Sequence, residues 1–315
     1  MTDFFKRLTR EIENHSNIII IGHKNPDLDC IASSLGLYKI INKECYIFKT
    51  LDKTNTSVQK TFDLLEQQNI KFITKENYKD KINCNTLLIA VDLHRKQLIE
   101  QEMILEEVKD IIVIDHHIIG KDKINTITEY IDSKVSSTTE IISKYIIDQD
   151  KNIDSVTATV MLSGIEIDTN GYNMKTTKET FKIASWLMEM GADNILKQNI
   201  LKENKEEYIK RTKQIEKSYM IKNNMIICVL DEEIYNPSYL ATLSEDLLRF
   251  EEVEASFTIG KLTNKKIGIS ARSLGNINVE VYMAELGGGG HLTDAACQFD
   301  STSLKEIEKK LIEKL

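Results

Sequence analysis

The chain has 315 residues, 41% hydrophobic and 29% charged, which reads as a globular protein long enough for two domains, each with its own core. No apolar run approaches the roughly eighteen residues of a membrane span, and the charged amphipathic start, MTDFFKRLTREIENHSN, lacks the apolar centre of a secretory signal. A formal net charge of −8 leaves no broad basic face for long nucleic acid, though it permits a small anion held through metals and a few cations.

The N-terminal stretch predicts a helix. The near-continuous apolar runs NIIIIGH (17–23), ECYIFK (44–49), TLLIAVD (86–92) and DIIVIDHH (110–117) suit a parallel sheet covered on both faces. SSLGLYKIIN, SVQKTFDLLEQQN, SSTTEIISKYII and SVTATVMLSGIEID alternate with them as helices, with Ser and Thr available as N-caps. The expectation is a doubly wound α/β domain over residues 1–195. The polar run from 193 to 221, without Gly or Pro, predicts one long helix, whose stretch 196–222 connects the domains. A smaller α/β domain follows over 223–315. Its strands are MIICVLD, EASFTIGK, KIGISAR and AACQF, TNKK makes a hairpin turn, and NVEVYMAEL and SLKEIEKKLIEKL are helices. Cys30, Cys45, Cys84, Cys228 and Cys297 are scattered without CxxC spacing. That predicts small buried thiols, no disulfide framework or zinc knuckle, and a reducing cytoplasm.

Ligands of parallel α/β sheets gather beyond the carboxyl ends of the strands, and this chain crowds those ends with carboxylates and imidazoles. The first strand ends in His23, with Asp27 and Asp29 behind it. TLLIAVD ends in Asp92, followed by His94; DIIVID ends in Asp115, His116 and His117; the GIEID helix ends in Asp168. Of six histidines, four fall at these ends, His291 follows GGGG, and His15 is left as an ordinary surface histidine. Imidazole and carboxylate without thiolate favour Mn²⁺, Fe²⁺, Co²⁺ or Zn²⁺, and carboxylate richness favours Mn²⁺. So many ligands exceed one ion's needs but suit two ions roughly 3.5–4 Å apart that share a carboxylate, a device of phosphoryl chemistry. Pro26 stiffens the loop between His23 and Asp27. GGGG alone reads as a turn, Arg272 alone as a strand-end arginine, and Trp186 and Tyr282 as core residues.

H-x-x-x-D-x-D, a lone Asp after a strand, Asp-His-His and a later Asp, in this order, resemble the DHH phosphoesterase superfamily. ISARS and GGGGH resemble its companion DHHA1 domain. GHKNPDLDCIASSLGL, VIDHHIIG, SSTTEII, VEASFTIGK and ISARSLGNINVEVYMAELGGGGHLTDAACQ resemble more finely the catalytic region of GdpP-type cyclic-di-AMP phosphodiesterases. Those proteins carry transmembrane helices, a PAS-like domain and a degenerate cyclase-like domain ahead of it, segments without a counterpart in this sequence.

The resemblance implies a parallel-sheet DHH domain joined by a linker helix to a smaller DHHA1 domain. It places one metal on His23, Asp27 and Asp92 and a second on Asp29, Asp92, His116 and Asp168, with Asp92 bridging and two Mn²⁺ expected. It makes Asp115 the partner that orients a histidine and sets His117 against the scissile phosphate. Arg272 and His291 would hold substrate phosphates beside the close-approach backbone of Gly288, Gly289 and Gly290, while His94 receives no metal role. The implied activity is hydrolysis of cyclic di-AMP to 5′-pApA, in a possible homodimer. A nanoRNase or pAp phosphatase with the same metal set is the alternative. Long single strands are disfavoured as substrates by the acidic chain.

Overall fold

The computed structural model describes every residue except Lys53, Lys121, His291 and Thr302. The chain divides into two units, Met1–Glu203 and Asn204–Leu315.

The first unit runs α1 (Thr2–Asn14), β1 (Asn17–Ile21), α2 (Leu28–Ile40), β2 (Glu44–Phe48), α3 (Thr56–Gln67), β3 (Phe72–Ile73), β4 (Thr86–Val91), α4 (Ile104–Glu107), β5 (Asp110–Asp115), β6 (Thr128–Ile131), α5 (Thr138–Asp148), α6 (Ser155–Asp168), α7 (Lys178–Glu189) and α8 (Asn194–Leu201). Its six strands pair in parallel in the order β3-β2-β1-β4-β5-β6. This is a doubly wound order whose direction of growth reverses at the β1–β4 pair. The central strands β1, β4 and β5 carry continuous apolar runs (Ile18–Ile21, Leu87–Val91 and Ile111–Ile114) because both faces are covered there. Ile18, Ile20, Leu87, Ile89, Ile112 and Ile114 join the core built with α2, α5 and α6. The alternate residues Ile19, Ile21, Leu88, Ala90, Ile111 and Val113 pack with Tyr78, Ile99 and Ile104 on the other side.

Helices α2 and α6 approach closely because glycine stands at their contact. A Cβ added at Gly164 would lie 2.8 Å from the Ala32 Cβ and 3.1 Å from the Leu28 carbonyl oxygen. The N-cap of α2 is Asp27 and the last residue of α6 is Asp168, so this contact sets the spacing of the carboxylates at these two helix ends.

The second unit runs α9 (Lys205–Ile215), β7 (Tyr219–Ile221), β8 (Met225–Ile234), α10 (Pro237–Leu247), β9 (Ala255–Thr263), β10 (Lys266–Ser273), α11 (Val279–Glu285), β11 (Gly289–Gly290), β12 (Asp294–Asp300) and α12 (Leu304–Ile312). Its sheet has the order β11-β12-β10-β9-β8-β7, antiparallel except for the β8–β9 pair. The TNKK hairpin joins β9 to β10. One face of the sheet packs on α11 and α12 through Val279, Met283, Ile307 and Leu311, the other on α10 through Leu240, Leu243 and Leu247.

Three expectations are corrected. The polar run from 193 to 221 is not one helix. Lys202 turns to an extended backbone, and the Asn204 side chain starts α9 afresh by accepting the Glu206 and Glu207 N–H groups at 2.8 and 3.2 Å. An asparagine competes for backbone donors as an N-cap, and with only a thin apolar stripe nothing opposes the restart. Residues 219–221 then leave the helical run to pair with β8. His15 is buried rather than on the surface: its Nδ1 lies 2.7 Å from the Glu11 carbonyl and its Nε2 3.2 Å from Asp110 Oδ2. Cys84 is exposed, whereas the other four thiols are buried. No helix among the described residues is long and apolar enough to cross a membrane.

Gly164→Val should destabilise the first unit by about 1–3 kcal/mol through overpacking, read as a lower urea midpoint. Adding Ala32→Gly, which empties the facing position, should recover part of that loss.

Candidate metal centre

The switch of strand order leaves the carboxyl ends of β1 and β4 side by side. Residue Gly22 follows β1, and there a Cβ would meet Cys30 Sγ at 2.0 Å; glycine is what lets the strand pass so near the start of α2. Asp27 caps that helix, its Oδ1 accepting the Cys30 N–H at 3.0 Å. After β4, Asp92 adopts a left-handed backbone with φ 62°, a strained conformation that Asp tolerates better than most residues. Its N–H stays bonded to the Ile114 carbonyl at 2.9 Å.

These turns converge on Asp92 and His116. His23 Nε2 lies 3.4 Å from Asp92 Oδ2 and 3.9 Å from Asp27 Oδ2. His116 Nε2 lies 3.5 Å from Asp92 Oδ1, 3.1 Å from Asp168 Oδ2 and 3.9 Å from Asp29 Oδ2. Three ligand groupings result: His23, Cys30 and Asp92; Asp92, His116 and His117; Asp29, His116 and Asp168. Of the residues named from strand ends, His23, Asp29, Asp92, His116, His117 and Asp168 fall in these groupings, with Asp92 and His116 each common to two, whereas Asp27, His94 and Asp115 do not. Asp27 sits at the rim, partly occupied by its capping bond.

Sequence reasoning missed the supports. The first turn of α5 grips Asp29, with the Thr138 and Thr139 N–H groups donating to its two oxygens at 2.7 and 2.8 Å. A helix N-terminus favours an anion there. The Thr138 hydroxyl donates to Asp92 Oδ1 at 3.1 Å. Glu140 fixes this turn from below: its Oε2 accepts the Ser136 hydroxyl at 2.6 Å and the Thr180 hydroxyl at 2.8 Å, and Lys144 pairs with Oε1. The S-x-x-E spacing at Ser137 and Glu140 was the available signal. Cys30, read only as a buried thiol, lies among the ligand atoms.

Asp115 has a different surrounding. Its Oδ1 accepts from His117 Nδ1 at 2.7 Å and from the His117 N–H at 3.1 Å, and its Oδ2 is 2.5 Å from His94 Nδ1. The His117 side chain is half-exposed.

The electrostatics separate the carboxyls. Burial, and then the Asp168 charge, push Asp29 up to about 7. Burial, and then Asp29, push Asp92 well above the usual carboxylate range. Burial acts on Asp115 too, but the hydrogen bonds from His117 and His94 outweigh it and hold this carboxyl well below that range. Burial opposes charging of His116, yet the bond to Asp168 raises it to about 9. Burial and neighbouring carboxylates thus disfavour the charged forms of Asp29 and Asp92. Asp92 Oδ2 is buried and accepts no hydrogen bond among the described residues. A buried unpaired carboxylate oxygen facing imidazole and further carboxylates suits a divalent cation. These residues could hold a metal.

The residues named in the second unit are placed on its own sheet. Arg272 Nε lies 3.2 Å from both Glu245 Oε1 and Asp294 Oδ1. Gly289 and Gly290 form β11 against β12, and a Cβ at Gly288 would lie 2.1 Å from the Ala296 carbonyl oxygen. The glycine run thus ends in an edge strand rather than a loose turn, with Gly288 and Gly290 set close against β12. His291 lies outside the described residues.

Comparison with known proteins places these residues in a family. Residues 17–165 match the model of the DHH family, N-terminal domain, and residues 222–315 that of the DHHA1 domain. The chain is 36% identical over 312 residues to the cyclic-di-AMP phosphodiesterase GdpP of Bacillus subtilis, covering 95% of this chain and 47% of that protein. It is 33% identical over 311 residues to the cyclic-di-AMP phosphodiesterase PdeA of Listeria monocytogenes, covering 96% and 47%. It thus spans about half the length of these relatives. The crystal structure of an exopolyphosphatase-related protein from Bacteroides fragilis shares the fold, with TM-score 0.83 and 21% identity over 99% of this chain and 96% of that one.

Three outcomes follow from the site. A divalent cation at about 100 times its dissociation constant should raise the melting temperature by roughly 5–10 °C. Asp92→Asn should be at least as stable as the parent in chelator, because one of the crowded charges is gone, and should gain nothing from the cation. For Glu140, the partners that lower its pKa stabilise the fold above the ordinary carboxylate range, and that stabilisation is lost as pH falls through the depressed folded value. The stability deficit of Glu140→Gln in urea should therefore be full at pH 7 and shrink progressively below about pH 4.5.

Proposed function

We propose a function from the premise that the chain belongs to the DHH family, with a DHHA1 domain following its DHH domain: it is a metal-dependent phosphodiesterase that hydrolyses cyclic di-AMP to 5′-pApA. The observation that carries the reaction class is the buried, unpaired Asp92 Oδ2 at the meeting point of His23, His116, Asp29 and Asp168. The substrate reading is supported by the similarity to the cyclic-di-AMP phosphodiesterases GdpP and PdeA.

In this reading His23, Asp27 and Asp92 would hold one cation and Asp29, Asp92, His116 and Asp168 a second, with Mn²⁺ the favoured ion for so carboxylate-rich a set. When bound, such ions supply Lewis-acid polarisation of the phosphate and a water acidic enough to react near neutral pH. The chain's own groups do the rest. The α5 first turn and the Thr138 hydroxyl orient Asp29 and Asp92. His117 is bound to Asp115 through Nδ1, which leaves Nε2 for the substrate. Asp115 holds the ring through Nδ1 and so turns Nε2 toward the departing 3′ oxygen, to which it can deliver a proton. The water oxygen bonds to phosphorus as the bond to that 3′ oxygen breaks, and the proton shed by the water passes to solvent. Arg272 and His291, beside Gly288–Gly290, are assigned to the substrate phosphates. Arg272 brings its own pair of carboxylate partners, so its role is to orient rather than to add net positive charge.

The test is incubation with Mn²⁺ and, in parallel, cyclic di-AMP, cyclic di-GMP, pApA and pAp, with chromatography of the products. Rapid conversion of cyclic di-AMP to pApA is expected. Turnover of pAp with cyclic di-AMP untouched would replace this reading with that of a nanoRNase or pAp phosphatase.

A further inference from the structure

We infer that His94 is a positioning residue for His117, acting through Asp115. The inference rests on the reading that His117 meets the scissile phosphate. His94 is buried, at 2% exposure, and both ring nitrogens are committed. Nδ1 lies 2.5 Å from Asp115 Oδ2, and Nε2 accepts the Gly120 N–H at 2.9 Å. A carboxylate only accepts and an amide N–H only donates, so these partners assign a neutral ring carrying its proton on Nδ1. The His94 carbonyl accepts the Ile124 N–H at 2.8 Å, which ties the residue to the far end of the same loop.

The consequence runs along a chain of bonds. Asp115 gives Oδ2 to His94 and Oδ1 to both the ring and the backbone of His117. With both oxygens engaged, its carboxylate plane is fixed, and with it the direction in which His117 presents Nε2. The loop that follows is held by the same imidazole at Gly120. A Cβ there would lie 2.3–2.5 Å from the Arg95 guanidinium, so the Gly120 backbone is clasped between neighbouring side chains of the segment after β4. Removal of the His94 ring would leave Oδ2 a buried acceptor without its donor and free the carboxylate to turn. Partners that orient a ligand-bearing or reacting histidine in this way typically matter by one or two orders of magnitude.

The experiment measures kcat and KM on cyclic di-AMP and on bis(p-nitrophenyl) phosphate. The variants are His94→Leu, His94→Gln, Asp115→Asn, His117→Ala and the double variant His94→Leu/Asp115→Asn. Glutamine offers one donor and one acceptor, as the ring does; leucine offers neither. His94→Leu is expected to lower kcat about 10–100-fold, with KM and the cation-induced gain in melting temperature unchanged. His94→Gln should recover most of that loss, and the double variant should be no slower than Asp115→Asn alone. Additive losses in the double variant, or equal losses with leucine and glutamine, would overturn the proposal. Undiminished kcat in His117→Ala would instead remove the reading of His117. Hydrolysis of bis(p-nitrophenyl) phosphate alone would remove the cyclic di-AMP reading and leave the comparison of variants intact. Amide hydrogen exchange over residues 116–120 gives a readout free of turnover: it should quicken in His94→Leu and return in His94→Gln, and unchanged exchange in His94→Leu overturns the proposal.

Discussion

Like charge gathered out of water is the constraint around which the first unit is arranged. Asp29, Asp92 and Asp168 converge on His116, and two of the three are almost wholly buried. At an effective dielectric constant of about 20, two unit charges 4 Å apart interact by about 4 kcal/mol. That is a large share of the roughly 5–15 kcal/mol that holds a domain together. The raised carboxyls of Asp29 and Asp92 record this conflict, which His116 alone does not offset. A divalent cation resolves the same conflict without neutralising the ligands.

The fold serves that constraint by bringing rigid elements to one place. The reversal of strand order sets the ends of β1 and β4 together, and β5 adds Asp115 and His116 at the next position. Helices then supply what strand ends cannot. The first turn of α5 offers two N–H groups to Asp29, and Glu140 in that turn is itself tied to Ser136, Thr180 and Lys144. Gly164 lets α6 lie against α2, so that Asp168 and the Asp27–Asp29 turn sit at a fixed separation. Each carboxylate is therefore held by an element with a core of its own, which is how a costly cluster keeps its geometry.

Much of this could be read in the chain because the signals are local. A run such as TLLIAVD states its strand, its burial on two faces and its terminal carboxylate within seven residues, and the parallel order then brings such termini together. The supports were less legible because they depend on partners far along the sequence. Thr138 lies 109 residues from Asp29, and its neighbour Thr139 carries the same helix-start chemistry as any capped turn. Cys30 read as a generic thiol because only the close passage of Gly22 brings it to Asp92. His15 was misread for the same reason: its burial depends on Asp110, 95 residues away. The break at Lys202–Asn204 was hidden in a uniformly polar run, where hydrophobic periodicity has little to register and a single capping asparagine decides the outcome.

The contrast between Asp92 and Asp115 carries the argument one step further. Asp92 follows β4 and Asp115 ends β5 of the same sheet, both are buried, and each stands close to His117, at 3.6 and 2.7 Å. Their fates differ because their donors differ. Asp115 receives two imidazole nitrogens and a backbone N–H, and so keeps its charge against burial. Asp92 accepts the Thr138 hydroxyl on one oxygen and, among the described residues, no hydrogen bond on the other. A carboxylate saturated by protein donors has little left to offer a cation; one left half-bare is a ligand in waiting. The same strand ends thus yield one carboxylate left open to a cation and one bonded to two histidines, and the division is made by hydrogen bonding rather than by residue type.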